Sequence, residues 1–257
     1  MDLPFSLHQK KALVVGVANE HSIAWGCAKA FRAAQADLAV TYLNEKVEPH
    51  VRPLAESVGA EIILPLDVET AGEDEAVFDI LEERWGKLDI LLHSIAFCEK
   101  HDLHGRVIDC SRNGFARAMD VSVHSFMRLL QRAEPLMAPG STAMTVTFYG
   151  SERVVEDYNV MGPVKASLEA VTRYAAAELG EAGISVHALS PGPLATRAAS
   201  GIAHFDAMLA RAAEKAPTRT LATTQDVGAY ATFLASEAAR NVTGCVHMID
   251  GGYSIVS

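Results

Sequence analysis

The chain has 257 residues, of which 49% are hydrophobic and 21% charged, with a formal net charge of -10. That length is sufficient to bury a substantial core, as one large α/β domain or two small ones. The acidic balance excludes a general nucleic-acid or anionic-membrane surface, while leaving room for a local basic patch. The four cysteines, Cys27, Cys98, Cys110 and Cys245, form no C-x-x-C pair, so reduced thiols and no metal site are expected. His101 and His104 lie close together but suit a loop or surface better than a metal. The first residues carry no signal-peptide core, and no apolar run reaches the ~18 residues of a membrane span. A cytoplasmic protein is expected.

Short β-branched apolar runs alternate with longer amphipathic ones along the chain. This is the pattern of a parallel sheet covered by helices. Strands are predicted at 11–16, 37–42, 61–67, 88–93, 141–148, 184–189 and 245–249, with Pro65 placing the third at an edge or strand end. Helices are predicted at 22–34, 47–58, 73–85, 164–179 and 226–236, and one long helix at 112–137, stopped by Pro139-Gly140. Residues 192–220 interrupt the alternation and contain a predicted helix at 204–215. No Gly/Ser/Pro-rich linker and no repeat divides the sequence. The expectation is one α/β domain over 1–257: a Rossmann-like, doubly wound sheet of about seven parallel strands with helices on both faces. The segment at about 193–220 follows a strand's C-terminal end, where such sheets bind ligands, and is expected to close as a lid.

The first strand runs into Gly16, and the following helix opens with Ser22-Ile23-Ala24-Trp25-Gly26. Glycine lets backbone approach a pyrophosphate, and a helix N-terminus offers free N–H groups and the positive end of its dipole. Ser22 can act as N-cap or phosphate ligand. An ordinary tight βα turn is the alternative, because the glycines do not follow G-x-G-x-x-G. Thr41-Tyr42-Leu43-Asn44-Glu45-Lys46 ends the second strand without an arginine. A 2′-phosphate needs a well-placed arginine or lysine and only Lys46 is near, so NAD(H) is favoured over its phosphorylated counterpart.

Late in the chain, Tyr158 is followed seven positions on by Lys165, with Pro163 between them. Proline is tolerated only in a first helical turn, so the helix carrying Lys165 is expected to begin between Tyr158 and Gly162. Read alone, the pair is a packed ring and a solvated amine. Beside a strand end, a helix start and the Ser190-Pro191-Gly192-Pro193-Leu194-Ala195-Thr196 loop, it is a pair that binds a nicotinamide ribose and polarises a carbonyl oxygen.

Ordinary short-chain dehydrogenases place the lysine four positions after the tyrosine, where this chain has Gly162. The longer spacing, the Ser22-Ile23-Ala24-x-Gly26 opening and the strings Tyr158–Gly162, Lys165–Ala170, Ala198–Ile202 and Asp250-Gly251-Gly252 resemble the bacterial NADH-dependent enoyl-acyl-carrier-protein reductases over nearly the whole chain. The resemblance implies reduction of the C=C bond of trans-2-enoyl-acyl-carrier-protein thioesters in fatty acid synthesis. It implies cofactor contacts from Gly16, Ser22, Ile23, Leu43, Asp67, Val68, Ser94, Ile95, Ala96, Lys165, Gly192, Leu194 and Thr196. It implies Tyr158 and Lys165 as catalytic residues with Phe148 beside them, substrate contacts from Cys98, Phe148, Tyr158, Ile202 and Phe205, an acyl carrier protein as partner, and a homotetramer. Phe148 stands where many members carry a second tyrosine. Ala195, Arg197, Pro191 and Cys98-Glu99-Lys100 also depart from the usual wording. A short-chain carbonyl or alcohol dehydrogenase, and a non-catalytic NAD-binding homologue, are the other readings.

Overall fold

The apolar runs form seven parallel strands: β1 (Lys11–Val15), β2 (Asp37–Tyr42), β3 (Ile62–Pro65), β4 (Ile90–His93), β5 (Thr142–Val146), β6 (Ser185–Pro191) and β7 (Val246–Ile249). They lie in the order β3-β2-β1-β4-β5-β6-β7, as expected for a doubly wound sheet. The computed structural model describes residues 5–194, 196 and 205–256, without the side chains of Phe205, Asp206 and Met208. Pro65 ends β3, an edge strand, where its missing N–H breaks no inner ladder.

The helices are α1 (Ile23–Ala33), α2 (Glu48–Ser57), α3 (Glu73–Trp85), α4 (Lys100–Leu103), α5 (Arg112–Met119), α6 (Ser125–Ala133), α7 (Met161–Leu179), α8 (Phe205–Lys215), α9 (Thr224–Leu234) and α10 (Tyr253–Val256). Because strand side chains alternate, each central strand feeds two cores. Leu13, Leu91, Ala143 and Val186 pack with α3, α6 and α7. Ala12, Val14, Leu92 and Met144 pack with α1, α2 and α9. Both faces are therefore covered, which is why these strands read as nearly continuous apolar runs.

Two predicted elements differ. The long helix over 112–137 is α5, a π-helical turn at Asp120–His124, α6, and a 3-10 turn at Glu134–Leu136. Pro135 has no N–H for the next α-helical bond and tightens the end. The helix predicted from 226 starts at Thr224, where Thr223 and Asp226 form a reciprocal capping box. The short helix α4 was not foreseen.

The tightest helix pair is α1 against α9. A Cβ at Gly26 would lie 2.3 Å from the Thr224 carbonyl oxygen, and one at Gly228 would lie 2.5 Å from the Gly26 carbonyl oxygen. Both obstacles are backbone, so the helices would have to separate. Gly228→Val is expected to destabilise the protein by about 2 kcal/mol, read as a lower urea midpoint at unchanged slope. An unchanged midpoint would show that this crossing is not tight.

Candidate active site

The strand order reverses between β1 and β4, and at that end the two loops cross in contact. Gly16 has φ +102°, and a Cβ on it would meet the Ser94 carbonyl oxygen at 2.2 Å. Only glycine permits this approach. Next to the crossing, at the C-terminal edge of the sheet, lies a cavity of about 420 Å³. Its wall includes eleven of the predicted site residues: Ile23, Ser94, Ile95, Ala96, Cys98, Phe148, Tyr158, Lys165, Gly192, Leu194 and Thr196.

Five others are not brought into this cavity. Gly16 and Ser22 stand at the β1–α1 turn. Leu43, half-exposed, follows β2. Asp67 and Val68 follow β3. Ser22 occupies the N-cap position of α1, but its hydroxyl does not cap the helix. Instead Oγ accepts the backbone N–H groups of Ala18 and Asn19, each at 3.0 Å, and so fixes the loop ahead of the helix. Asp67 caps its own turn, accepting the Glu69 N–H at 3.0 Å. Ile202, Ala195, Arg197 and the Ala198–Gly201 string lie outside the described residues, as does the side chain of Phe205.

Tyr158 sits in a kinked turn just before α7. The flanking residues Asp157 (φ +63°) and Asn159 (φ +43°) both take left-handed conformations, and the Asn159 side-chain amide donates to the Leu103 carbonyl of α4. The helix then opens at Met161, so Pro163 falls in its first turn, as expected. The turn packs against the 3-10 segment Tyr149–Ser151: a Cβ at Gly162 would lie 3.0 Å from the Gly150 carbonyl oxygen, and one at Gly150 would lie 2.6 Å from the Tyr158 ring. The position four after Tyr158 is thus held against backbone, and the lysine comes one helical turn later.

Lys165 and Tyr158 are both buried. Lys165 Nζ donates to the Val146 carbonyl at 2.7 Å. Burial pulls its pKa down to about 8, against an opposing pull from the Glu169 carboxylate. Burial, then Glu169, raises the Tyr158 phenol well above its usual range, so it remains an O–H donor at neutral pH. Beneath them, His93 Nδ1 meets Thr145 Oγ1 and Nε2 meets Ser125 Oγ, both at 2.8 Å. Burial, followed by the Lys165 charge, lowers His93 to about 3 and keeps it neutral.

Phe148 stacks edge-on against Tyr158 at 4.9 Å and Tyr149 at 4.8 Å. Tyr149 turns away into a separate cluster with Tyr253, Ala212 and Ala216, as strand alternation suggested.

Phe97, Leu103, Val146, Thr147, Met161 and Pro193 also line the cavity and were not singled out. Phe97 is held by the later segment of α5 and its π turn: its N–H donates to Ser122 Oγ at 3.0 Å and its ring carries the Arg117 guanidinium at 4.2 Å. No sequence periodicity signals a π turn. Among the described residues no group of three or more His, Cys, Asp or Glu side chains is placed to hold a metal ion, and no helix is long and apolar enough to cross a membrane.

The family model described as enoyl-(acyl carrier protein) reductase matches residues 16–254. The chain is 46% identical to enoyl-[acyl-carrier-protein] reductase [NADH] 2 of Rhizobium meliloti (strain 1021), over 98% of this chain and 94% of that protein. It superimposes with a TM-score of 0.94 and 43% identity on the Anaplasma phagocytophilum reductase in complex with NAD, covering 98% and 96% of the two chains. It superimposes with a TM-score of 0.95 and 41% identity on the Bacillus cereus enoyl-acyl carrier protein reductase with NADP+ and indole naphthyridinone, covering 98% of each. The chain belongs to the enoyl-(acyl carrier protein) reductase family.

Proposed function

We propose that this protein reduces the C=C bond of trans-2-enoyl thioesters carried on acyl carrier protein, with NADH as reductant. The observation that carries the reading is that a buried, protonated Tyr158 and a buried Lys165 face one apolar cavity, walled by the loops after β4, β5 and β6. The residues fit the cofactor: Gly16 leaves backbone room that a Cβ would fill, α1 points its N-terminus at that turn, and no arginine ends β2. NADH would supply hydride for the β-carbon, and a proton delivered to the α-carbon completes the reduction.

The protein's own contribution is placement and charge. Tyr158 donates a hydrogen bond to the thioester oxygen as that oxygen gains negative charge, an interaction stronger in the transition state than in the ground state. Lys165 holds the ribose hydroxyls and adds a positive field at the same oxygen. Gly16, Ser22, Ile23, Leu43, Asp67, Val68, Ser94, Ile95, Ala96, Gly192, Leu194 and Thr196 are assigned to the cofactor. Cys98, Phe148, Ile202 and Phe205 are assigned to the acyl chain. Cys98 suits an inert wall, since burial raises its thiol to about 11. The segment 193–220 is assigned the role of a lid, with α8 resting on Tyr149 and Tyr253 through Ala212 and Ala216.

NADH oxidation with crotonyl-CoA and an enoyl-carrier substrate, beside a ketone panel, tests the reading; turnover on ketones alone would sink it. Tyr158→Phe is expected to lose roughly 10²–10³-fold in kcat with little change in NADH affinity. Unchanged enoyl reduction in that variant removes Tyr158 from the role.

We further propose a homotetramer. A groove between α6 and α7 is lined by His124, Met127, Arg128, Tyr174 and Glu178, with Tyr174 74% exposed. At the other end, edge strand β7 runs to an α10 whose Ile255 is 81% exposed. Exposed apolar groups on two separate faces suit two interfaces. Met127→Glu with Tyr174→Glu is expected to halve the assembly mass in light scattering; a wild-type monomer would refute the assembly.

A further inference from the structure

Glu169 is a buried acid that the reaction scheme leaves unused. It lies one turn after Lys165 on the same face of α7, both side chains being buried at 4% and 5% exposure. A carboxylate placed there costs free energy unless it is paired, and the pairing is specific. The Thr147 hydroxyl donates to Glu169 Oε1 at 2.6 Å, while the neighbouring Val146 carbonyl accepts from Lys165 Nζ at 2.7 Å. Two consecutive residues at the end of β5 thus hold the two charged side chains of α7. Thr147 is itself fixed by its N–H bond to the Leu189 carbonyl of β6 at 2.8 Å.

We propose that Glu169 is a positioning residue for Lys165: its buried carboxylate, one turn along α7 and anchored by Thr147, holds the lysine against the end of β5. This rests on the assignment of Lys165 to the cofactor ribose. The other titratable groups on elements packed around α7 are engaged elsewhere. His93 on β4 is neutral between Thr145 and Ser125. Asp120 of the π turn accepts from Arg128 at 2.8 Å, with His124 Nδ1 within 3.0 Å of both. His187 on β6 lies against His247 at 3.0 Å. Tyr149 packs on Tyr253, and Glu181 is at the surface. Tyr158 also feels Glu169, and there the effect is to keep the phenol protonated. One buried carboxylate therefore supports both protonation states that the proposed chemistry needs.

The sign is set by the pair. A negative neighbour favours the charged form of lysine, so Lys165 loses its proton as pH rises through about 8, and removing the neighbour moves that loss to lower pH. The experiment is NADH affinity by fluorescence titration, with kcat/KM measured in parallel, from mildly acidic to alkaline pH. The proteins are wild type, Glu169→Gln and Glu169→Asp. Wild-type affinity is expected to fall above about pH 8. In Glu169→Gln the limb moves down by about one pH unit, so affinity at pH 8 drops by up to ~10-fold while affinity in acid is little changed. In Glu169→Asp, with the charge retained on a shorter arm, the limb moves only part of the way. Should Glu169→Gln not fold, the partial displacement in Glu169→Asp carries the test alone. An unmoved limb, with affinity either unchanged or lowered equally at every pH, overturns the proposal, as does a wild type with no alkaline limb. A wild type that binds NADH with the limb but reduces no enoyl thioester would refute the proposed activity and leave the role of Glu169 standing.

Discussion

The burial of the Lys165 ammonium is the constraint on which the site depends. A charge taken out of water needs compensating partners, and they come from two elements. β5 gives the Val146 carbonyl, α7 gives Glu169, and Thr147 completes the link between them. The same charge also requires that nothing cationic lie beneath it. The parallel register sets His93 opposite Thr145, and Ser125 donates its own proton to the Val121 carbonyl at 2.7 Å. Ser125 Oγ must therefore accept from His93 Nε2, which leaves Nδ1 to accept from Thr145. A single neutral tautomer satisfies both bonds, and it fixes the start of α6 against the sheet.

The cavity walls come from departures from regular structure, placed where regular structure would close the space. The π turn at Asp120–His124 brings Ser122 to the backbone of Phe97. Arg117 covers the Phe97 ring while reaching Glu69 after β3 and Glu99 after β4. The left-handed pair Asp157 and Asn159 lifts Tyr158 off the helix axis. Neither position is glycine, so each carries some backbone strain. Asn159 offsets part of it through its bond to α4.

What could be read in the sequence follows the same division. Strand number, helix positions and the ligand-binding edge were legible because period-2 and period-3.6 patterns report burial on two faces. The start of the Lys165 helix was legible because Pro163 admits only a first turn. The π turn was not, since residues 112–137 keep helical spacing through it. Ser22 looks like an N-cap by type and position, yet its hydroxyl turns to Ala18 and Asn19, a choice of loop geometry rather than composition. Glu169 was visible as an acid one turn after Lys165, but surface pairs at this spacing are common, and burial is what distinguishes this one.

Phe148 shows how a lost hydroxyl fits the proposed chemistry. Its neighbour Tyr149 cannot replace it, because that ring turns to Tyr253 and α8. Phe148 instead sets its edge against Tyr158, adding apolar cover that withdraws the phenol from water. Desolvation is the larger cause of the raised Tyr158 pKa, with Glu169 second. A tyrosine in place of Phe148 would bring a second donor but also a polar group beside the first. The site gives up one donor and gains a drier one. In a low-dielectric cavity a single well-held hydrogen bond counts for more than it does in water, so the phenylalanine is compatible with a full oxyanion-stabilising role for Tyr158 alone.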